Sequence, residues 1–234
     1  MAARRPNRIG PSSSDLGPLP GGHHGLSREQ VAESQRERLL AGLAHAVAAN
    51  GYRATTITEI VKTASVSSRD FYENFESKED CFLAAFDAVI AHLRELIASA
   101  VGPVPDWPGR MIVALRTALD FFAAEPDLAR LCLVEPFTAS PAIATHFRDL
   151  VVATIPYLQP GRSERPEAAA LPESTEDSLL GGLIALSVRS LLVAEDDSLE
   201  QLLPDLVDFA LSPYLGPARA KELAREAASP TRPR

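Results

Sequence analysis

Two short amphipathic stretches, residues 56–64 and 67–75, are separated by only Ser65 and Val66, and no other feature of this 234-residue chain restricts its fold as much. Ile57, Ile60, Val61 and Ala64 recur at helical spacing in the first stretch, and Phe71 and Phe75 stand one turn apart in the second. Upstream, Leu40, Leu43, Ala44 and Val47 fall at i, i+3, i+4 and i+7, and "NGY" with Gly51 supplies a stop. A longer first helix with two short ones packed on it describes a helix-turn-helix, whose second short helix enters the DNA major groove.

The remainder predicts helices and almost no strand alternation. Phe82, Phe86, Val89, Ile90, Leu93 and Ile97 form one stripe of a helix over 78–100. Further helices are expected near 109–124, 127–134, 141–158, 174–194, 202–215 and 217–228, with boundaries at Pro126, Pro141, Pro160 and Pro172. Ser27 with Gln30 reads as a capping box, Ser77 as an N-cap, and residues 160–173 as a mobile loop. The expected fold is all-α. Residues 1–25 form a disordered Pro/Gly/Ser-rich arm, 26–80 the helix-turn-helix domain, and 81–234 a helical bundle.

Charge follows that division. The arm holds three arginines and one aspartate (+2), residues 26–80 seven basic and nine acidic groups (−2), and residues 81–234 thirteen and twenty-one (−8). The acidity is mostly C-terminal, so DNA binding by the middle block rests on a few placed contacts rather than on a basic field. The arm's "RRPNR" either reaches a minor groove or remains a solvated tail. No run of about 18 apolar residues and no apolar leader segment occur, and Cys81 and Cys132 form no CxxC pair. These features predict a cytoplasmic protein without a membrane span.

"VSSRDFYENFESKEDCF", residues 66–82, is the segment with chemistry suited to DNA. Ser67, Ser68 and Arg69 open the second short helix, and arginine suits guanine O6 and N7. Tyr72 and Asn74 suit backbone-positioning contacts, and Lys78 opens the next helix, where a phosphate meets both a cation and a dipole. Thr56 and Ser67 are also ordinary caps. Glu73 either accepts from a cytosine amino group or points away from DNA.

The run "ERLLAGLAHAVAANGYRATTITEIVKTASVSSRDFYENFESKEDCFLAAFD" resembles the N-terminal domain of the tetracycline-repressor (TetR) family, through "NGY", "TT", "VSSRDFYENF" and "SKED" in that order and spacing. The resemblance covers about residues 34–87. It implies a dimer, an all-helical C-terminal effector domain and ligand-relieved repression, and it puts Thr58 where a base edge is read. Many relatives have glycine where Ser65 stands, so a serine there requires a different turn or a strained one.

Downstream no catalytic motif appears, and His45, His92 and His146 are too scattered for a metal site, so neither an enzyme nor a cofactor is expected. The apolar faces of the bundle read as core or as the lining of an effector pocket, for which Trp107, Phe122, Leu131, Glu135, His146 and Phe147 are the candidates. "LLGGLIALSVRSLLVAE" and "LLPDLVDFALSPYLG" are apolar nearly all round, which predicts a two-fold homodimer through residues 174–215, with Gly181 and Gly182 at the close approach. The leading reading is a repressor that binds a palindromic operator as a dimer and is released by a small hydrophobic effector. A constitutive DNA-binding regulator and a hydrophobe-binding module without DNA binding are the alternatives.

Overall fold

The computed structural model describes residues 28–193 and 199–228, with side chains from residue 32 onward. The N-terminal arm and Ser27 with its capping box lie outside the described residues. Among those described, the chain is helical without a strand, as the sequence predicts. It divides into two compact units. The first takes the chain up to His92 together with Arg130–Ile143, and the second takes Leu93–Ala129 and everything from Ala144 onward.

The first unit contains α1 (Arg28–Asn50), α2 (Ile57–Ala64), α3 (Ser68–Asn74) and the start of α4 (Lys78–Val101). Its core is Leu39, Leu43, Val47, Ile60, Phe71, Phe75, Phe82 and Phe86. Leu39 is fully buried and Leu40 only partly, so the inner stripe of α1 begins one residue earlier than the periodicity suggests. Gly42 lets α2 cross tightly, since a Cβ there would sit 3.0 Å from the Ala64 Cβ and the Ile60 carbonyl. Residues 130–143 return to this unit as a π-helical turn (Arg130–Val134) and a 3-10 turn (Glu135–Phe137). A single α-helix over 127–134 is therefore not what forms. The α-helical part, α6 (Pro126–Ala129), stops early and the backbone widens into the π turn. Cys81 and Cys132 are both buried, and burial pushes the Cys81 thiol up to about 12 and raises that of Cys132 as well. Both are packing groups at neutral pH.

The second unit holds α5 (Trp107–Ala124), α6, α7 (Pro141–Val152) from Ala144 onward, α8 (Ile155–Leu158), α9 (Pro166–Ala169), α10 (Thr175–Val193), α11 (Leu203–Leu215) and α12 (Pro217–Ala228). Residues 160–173, read from sequence as a mobile loop, are instead helical turns bound at several points. Arg162 makes two bonds to the Glu176 carboxylate, at 2.8 and 2.7 Å, and donates to the Leu171 and Pro172 carbonyls. Tyr214, fully buried, donates its hydroxyl to Glu176 at 3.0 Å. Arg165 donates to the Pro213 and Tyr214 carbonyls, which lack helical acceptance at the end of α11. Trp107, two residues before the helix expected over 109–124, is the first residue of α5. Its indole donates to the Tyr157 carbonyl and its ring meets Tyr214 edge-on, over Gly161, where any side chain would collide with both rings.

Glu176 is the acid whose titration this clasp controls. Hydrogen bonds from Arg162 hold its carboxyl below the usual carboxylate range, against the effect of burial. A carboxyl whose folded pKa is depressed contributes stability above its unfolded pKa of about 4.3, lost as pH falls through the folded value. The thermal midpoint should fall as pH drops below about 4.5, and Glu176→Gln should flatten that fall. The same variant should lower the midpoint at pH 7 by on the order of 5 °C. Calorimetry from pH 7 to pH 3 on both proteins measures this.

Candidate nucleic-acid interface

The α1–α2 connection is held from both sides. Gly51, at φ +77, closes α1 with its N–H on the Val47 carbonyl at 2.8 Å. Thr55 turns its hydroxyl inward to the Ala46 and Gly51 carbonyls. Lys78, half-buried, donates its ammonium to the Tyr52 and Thr55 carbonyls at 2.7 Å each and lies 4.2 Å from the Tyr52 ring centre. Burial lowers its pKa. Two of its three N–H bonds are thus committed to the loop.

Both short helices begin with a reciprocal capping box. Thr56 accepts from the Glu59 amide, while Glu59 takes the Thr56 amide and hydroxyl at 2.7 and 2.9 Å. Ser67 does the same with Asp70, at 2.8 and 2.7 Å. These bonds hold both carboxyls below the usual range. Sequence reading found the two caps and missed their acids, although T-x-x-E and S-x-x-D were there to be paired.

Ser65 joins the helices at φ 52, ψ 46, the left-handed conformation. Its N–H bonds the Lys62 carbonyl and that of Val66 bonds Val61, the pattern of a Schellman turn. Of the two outcomes the sequence left open, the strained one is present. The Arg38 guanidinium, 7% exposed, stabilises the turn by donating to the Ser65 carbonyl at 3.0 Å.

Turned inward from α3 are Phe71 and Phe75, with the Arg36 guanidinium 4.6 Å from the Phe75 ring centre. Ser68, Arg69 and Tyr72 point to solvent with Ser67, as do Thr56 and Thr58 at α2. Tyr72 is 61% exposed. Asn74 is half-buried and donates to the Asp70 carbonyl within its own helix. Glu73 is exposed and has a partner within its own helix. Its carboxylate takes the Arg69 Nε at 2.8 Å, one turn along the helix. Of the eight residues named for DNA, which come from the two short helices, their caps and the first residue of α4, six are exposed and Asn74 and Lys78 are half-buried. The six named for the effector are divided. Leu131 and Glu135 lie in the first unit, and Trp107, Phe122, His146 and Phe147 in the second. A cleft of about 370 Å³ in the second unit, bounded by Asp106, Pro108, Glu164, Arg165, Leu215 and Arg219, contains none of them.

Residues 39–85 match the family described as bacterial regulatory proteins, tetR family. The match covers the helix-turn-helix domain alone, so the likeness to this family is a likeness of that domain. It is 23% identical over 129 residues to the HTH-type transcriptional activator FasR of Mycolicibacterium smegmatis, a match covering 55% of this chain and 59% of that protein. It is 28% identical over 100 residues to the HTH-type transcriptional regulator YdgC of Bacillus subtilis, covering 41% and 51%. The chain therefore spans between half and three fifths of these curated relatives. Among solved structures it is similar to the fatty acid degradation regulator FadR of Bacillus halodurans, with a TM-score of 0.68 at 16% identity over 76% of this chain and 94% of that one. It is also similar to the regulator FadR of Bacillus subtilis in complex with stearoyl-CoA, with a TM-score of 0.63 at 14% identity over 76% and 97%. At these identities the likeness establishes the fold. The family and the named relatives are regulators, not enzymes. No helix among the described residues is long and apolar enough to cross a membrane.

The left-handed turn at Ser65 generates a stability prediction. Ser65→Gly removes the Cβ that disfavours the left-handed conformation and keeps the carbonyl that Arg38 binds. The variant should be more stable by on the order of 0.5–1 kcal/mol after glycine's own entropy cost. Denaturant melts with an unchanged slope check it.

Proposed function

We propose that this protein is a cytoplasmic, ligand-responsive transcriptional repressor that binds a palindromic operator as a homodimer and is released by a small hydrophobic effector. The observation that carries the reading is the solvent-facing side of α3 within a TetR-family domain, with Ser67, Ser68, Arg69 and Tyr72 exposed over buried Phe71 and Phe75. Arg69 reads a guanine. With its Nε held by Glu73, its two terminal nitrogens face outward, the pair needed for a bidentate contact with O6 and N7. Thr56, Ser68, Tyr72 and Asn74 position the backbone, and the third N–H of Lys78 takes a phosphate. Thr58 reads a base edge beside them.

The dimer forms through residues 174–215. Leu192, Val193 and Phe209 are exposed in one chain, and Gly181 has nothing within 4 Å of where a Cβ would stand. Gly182 serves a contact within the chain, receiving the Phe209 ring. The effector reading draws support from the likeness to the stearoyl-CoA complex of FadR, which makes a long-chain acyl-CoA the first probe. Phe122, His146 and Phe147 are the lining candidates. The name of FasR favours activation as a second reading, and the direction of change of a promoter–reporter fusion separates the two.

Selection of random duplexes on the purified chain tests DNA binding and symmetry together. The enriched sequence should be an inverted repeat, with half-site centres about 10 bp apart or at a multiple of that. Arg69→Ala should relax one base pair per half-site at a cost of about 1–3 kcal/mol, and Tyr72→Phe should weaken all sequences evenly. Glu73→Gln should raise affinity for unselected DNA while lowering discrimination at the Arg69 position. Enrichment of no sequence by wild type refutes the regulator reading.

Release is a matter of linkage. Moving operator occupancy from 99:1 to 1:99 requires about 5.5 kcal/mol of preference for the released form. At about 25 cal/mol per Å², some 220 Å² of additional apolar burial supplies it, within reach of a long acyl chain. Stearoyl-CoA should bind more weakly in the presence of operator, by the same factor as it weakens operator binding. Equal affinity with and without DNA leaves no switch of this kind.

A further inference from the structure

Glu135 comes from a stretch far along the chain, yet its carboxylate is inside the DNA-binding unit and only 4% exposed. It accepts the Tyr52 N–H at 2.8 Å across 83 residues of sequence. The partner is specific to the way α1 ends. With Gly51 left-handed and its N–H on Val47, the next amide, Tyr52, has no helical carbonyl to bond. Tyr52 is 8% exposed, so that amide is also turned away from water. Glu135 supplies the missing acceptor. Its other oxygen lies 3.5 Å from Arg130 Nε. Two further bonds come from the same stretch. The Arg53 guanidinium donates to the Thr138 carbonyl at 2.8 Å, and the Ser140 hydroxyl donates to Glu79 in the first turn of α4.

Segment 51–56 is therefore gripped at its amide end by Glu135 and at its carbonyls by Lys78. It ends in Thr56, the cap of α2, and it fixes the direction in which Lys78 points. We propose that Glu135 is a positioning residue for DNA binding, holding the Gly51–Thr56 segment so that Thr56 and Lys78 meet phosphates together. This rests on the regulator reading above.

The test uses DNA selected on the wild-type chain and compares Glu135→Ala, Glu135→Asp and Glu135→Gln. Alanine removes the acceptor. Aspartate keeps the charge but is one methylene too short to reach the Tyr52 amide. Glutamine restores a neutral acceptor. Alanine and aspartate should each weaken binding about tenfold, and the slope of log affinity against log salt should become shallower by about 1–2 as phosphate contacts are lost. Glutamine should rescue most of the affinity and the slope. Hydrogen exchange at Tyr52 should accelerate in the alanine and aspartate variants and not in glutamine. A merely structural role would lower the melting temperature while leaving the salt slope of the folded fraction unchanged. The aspartate variant preserves the test if alanine fails to fold. Wild-type affinity and slope in a folded alanine or aspartate variant overturn the proposal. Failure of the wild-type chain to select any DNA overturns the regulator reading instead.

Discussion

A helix of seven residues does not persist in water by itself, because nucleation costs more than so few hydrogen bonds return. α3 spans only Ser68–Asn74, and the rest of the first unit supplies its order. Phe71 and Phe75 anchor it in the core, Ser67 and Asp70 fix its first turn, and the Ser65 turn, braced by Arg38, sets the angle at which it leaves α2. The exposed face is rigid because the opposite face is buried. Tyr72 and Arg69 can face solvent at a defined angle only because the two phenylalanines beneath them are fixed.

An acidic protein that binds a polyanion must keep its own carboxylates from repelling it. Residues 26–80 carry a net −2, and the acids of α2 and α3 are each engaged. Glu59 and Asp70 are tied to the capping hydroxyls and amides of Thr56 and Ser67, and Glu73 is paired with Arg69. Negative charge near a helix N-terminus also offsets the dipole there, so the boxes stabilise the helices that present the contacts.

What could be read from sequence was local. The spacing of Ile60, Val61, Ala64, Phe71 and Phe75, the stop at Gly51 and the caps at Thr56 and Ser67 all operate over three to five residues, and all stand in the structure. Non-local partners carried no such signal. Nothing in "NGYRATT" indicates that Lys78 will take two of its carbonyls or that Glu135 will take one of its amides. Residues 160–173 read as a loop because their order comes from Glu176, Trp107 and Tyr214, which lie beyond the window over which periodicity is judged. Grouping Glu135 with effector-pocket residues failed to foresee the Tyr52 bond for the same reason, since an acid in a mostly apolar stretch looks alike whether it faces a ligand or an amide.

The discontinuity of the first unit also matters during synthesis. The ribosome adds about 5–20 residues per second, so α1, α2, α3 and the start of α4 leave the tunnel roughly 2–9 s before Glu135 can follow. Through that interval the nascent unit has its hydrophobic centre but not the acceptor for Tyr52, nor Leu131, Cys132 and Ile143 from the returning segment. Its surface where that segment will lie is open to water and to other chains. The last part of the unit to be translated is thus the part that closes it, and a chain interrupted after His92 carries α3 on an unfinished support.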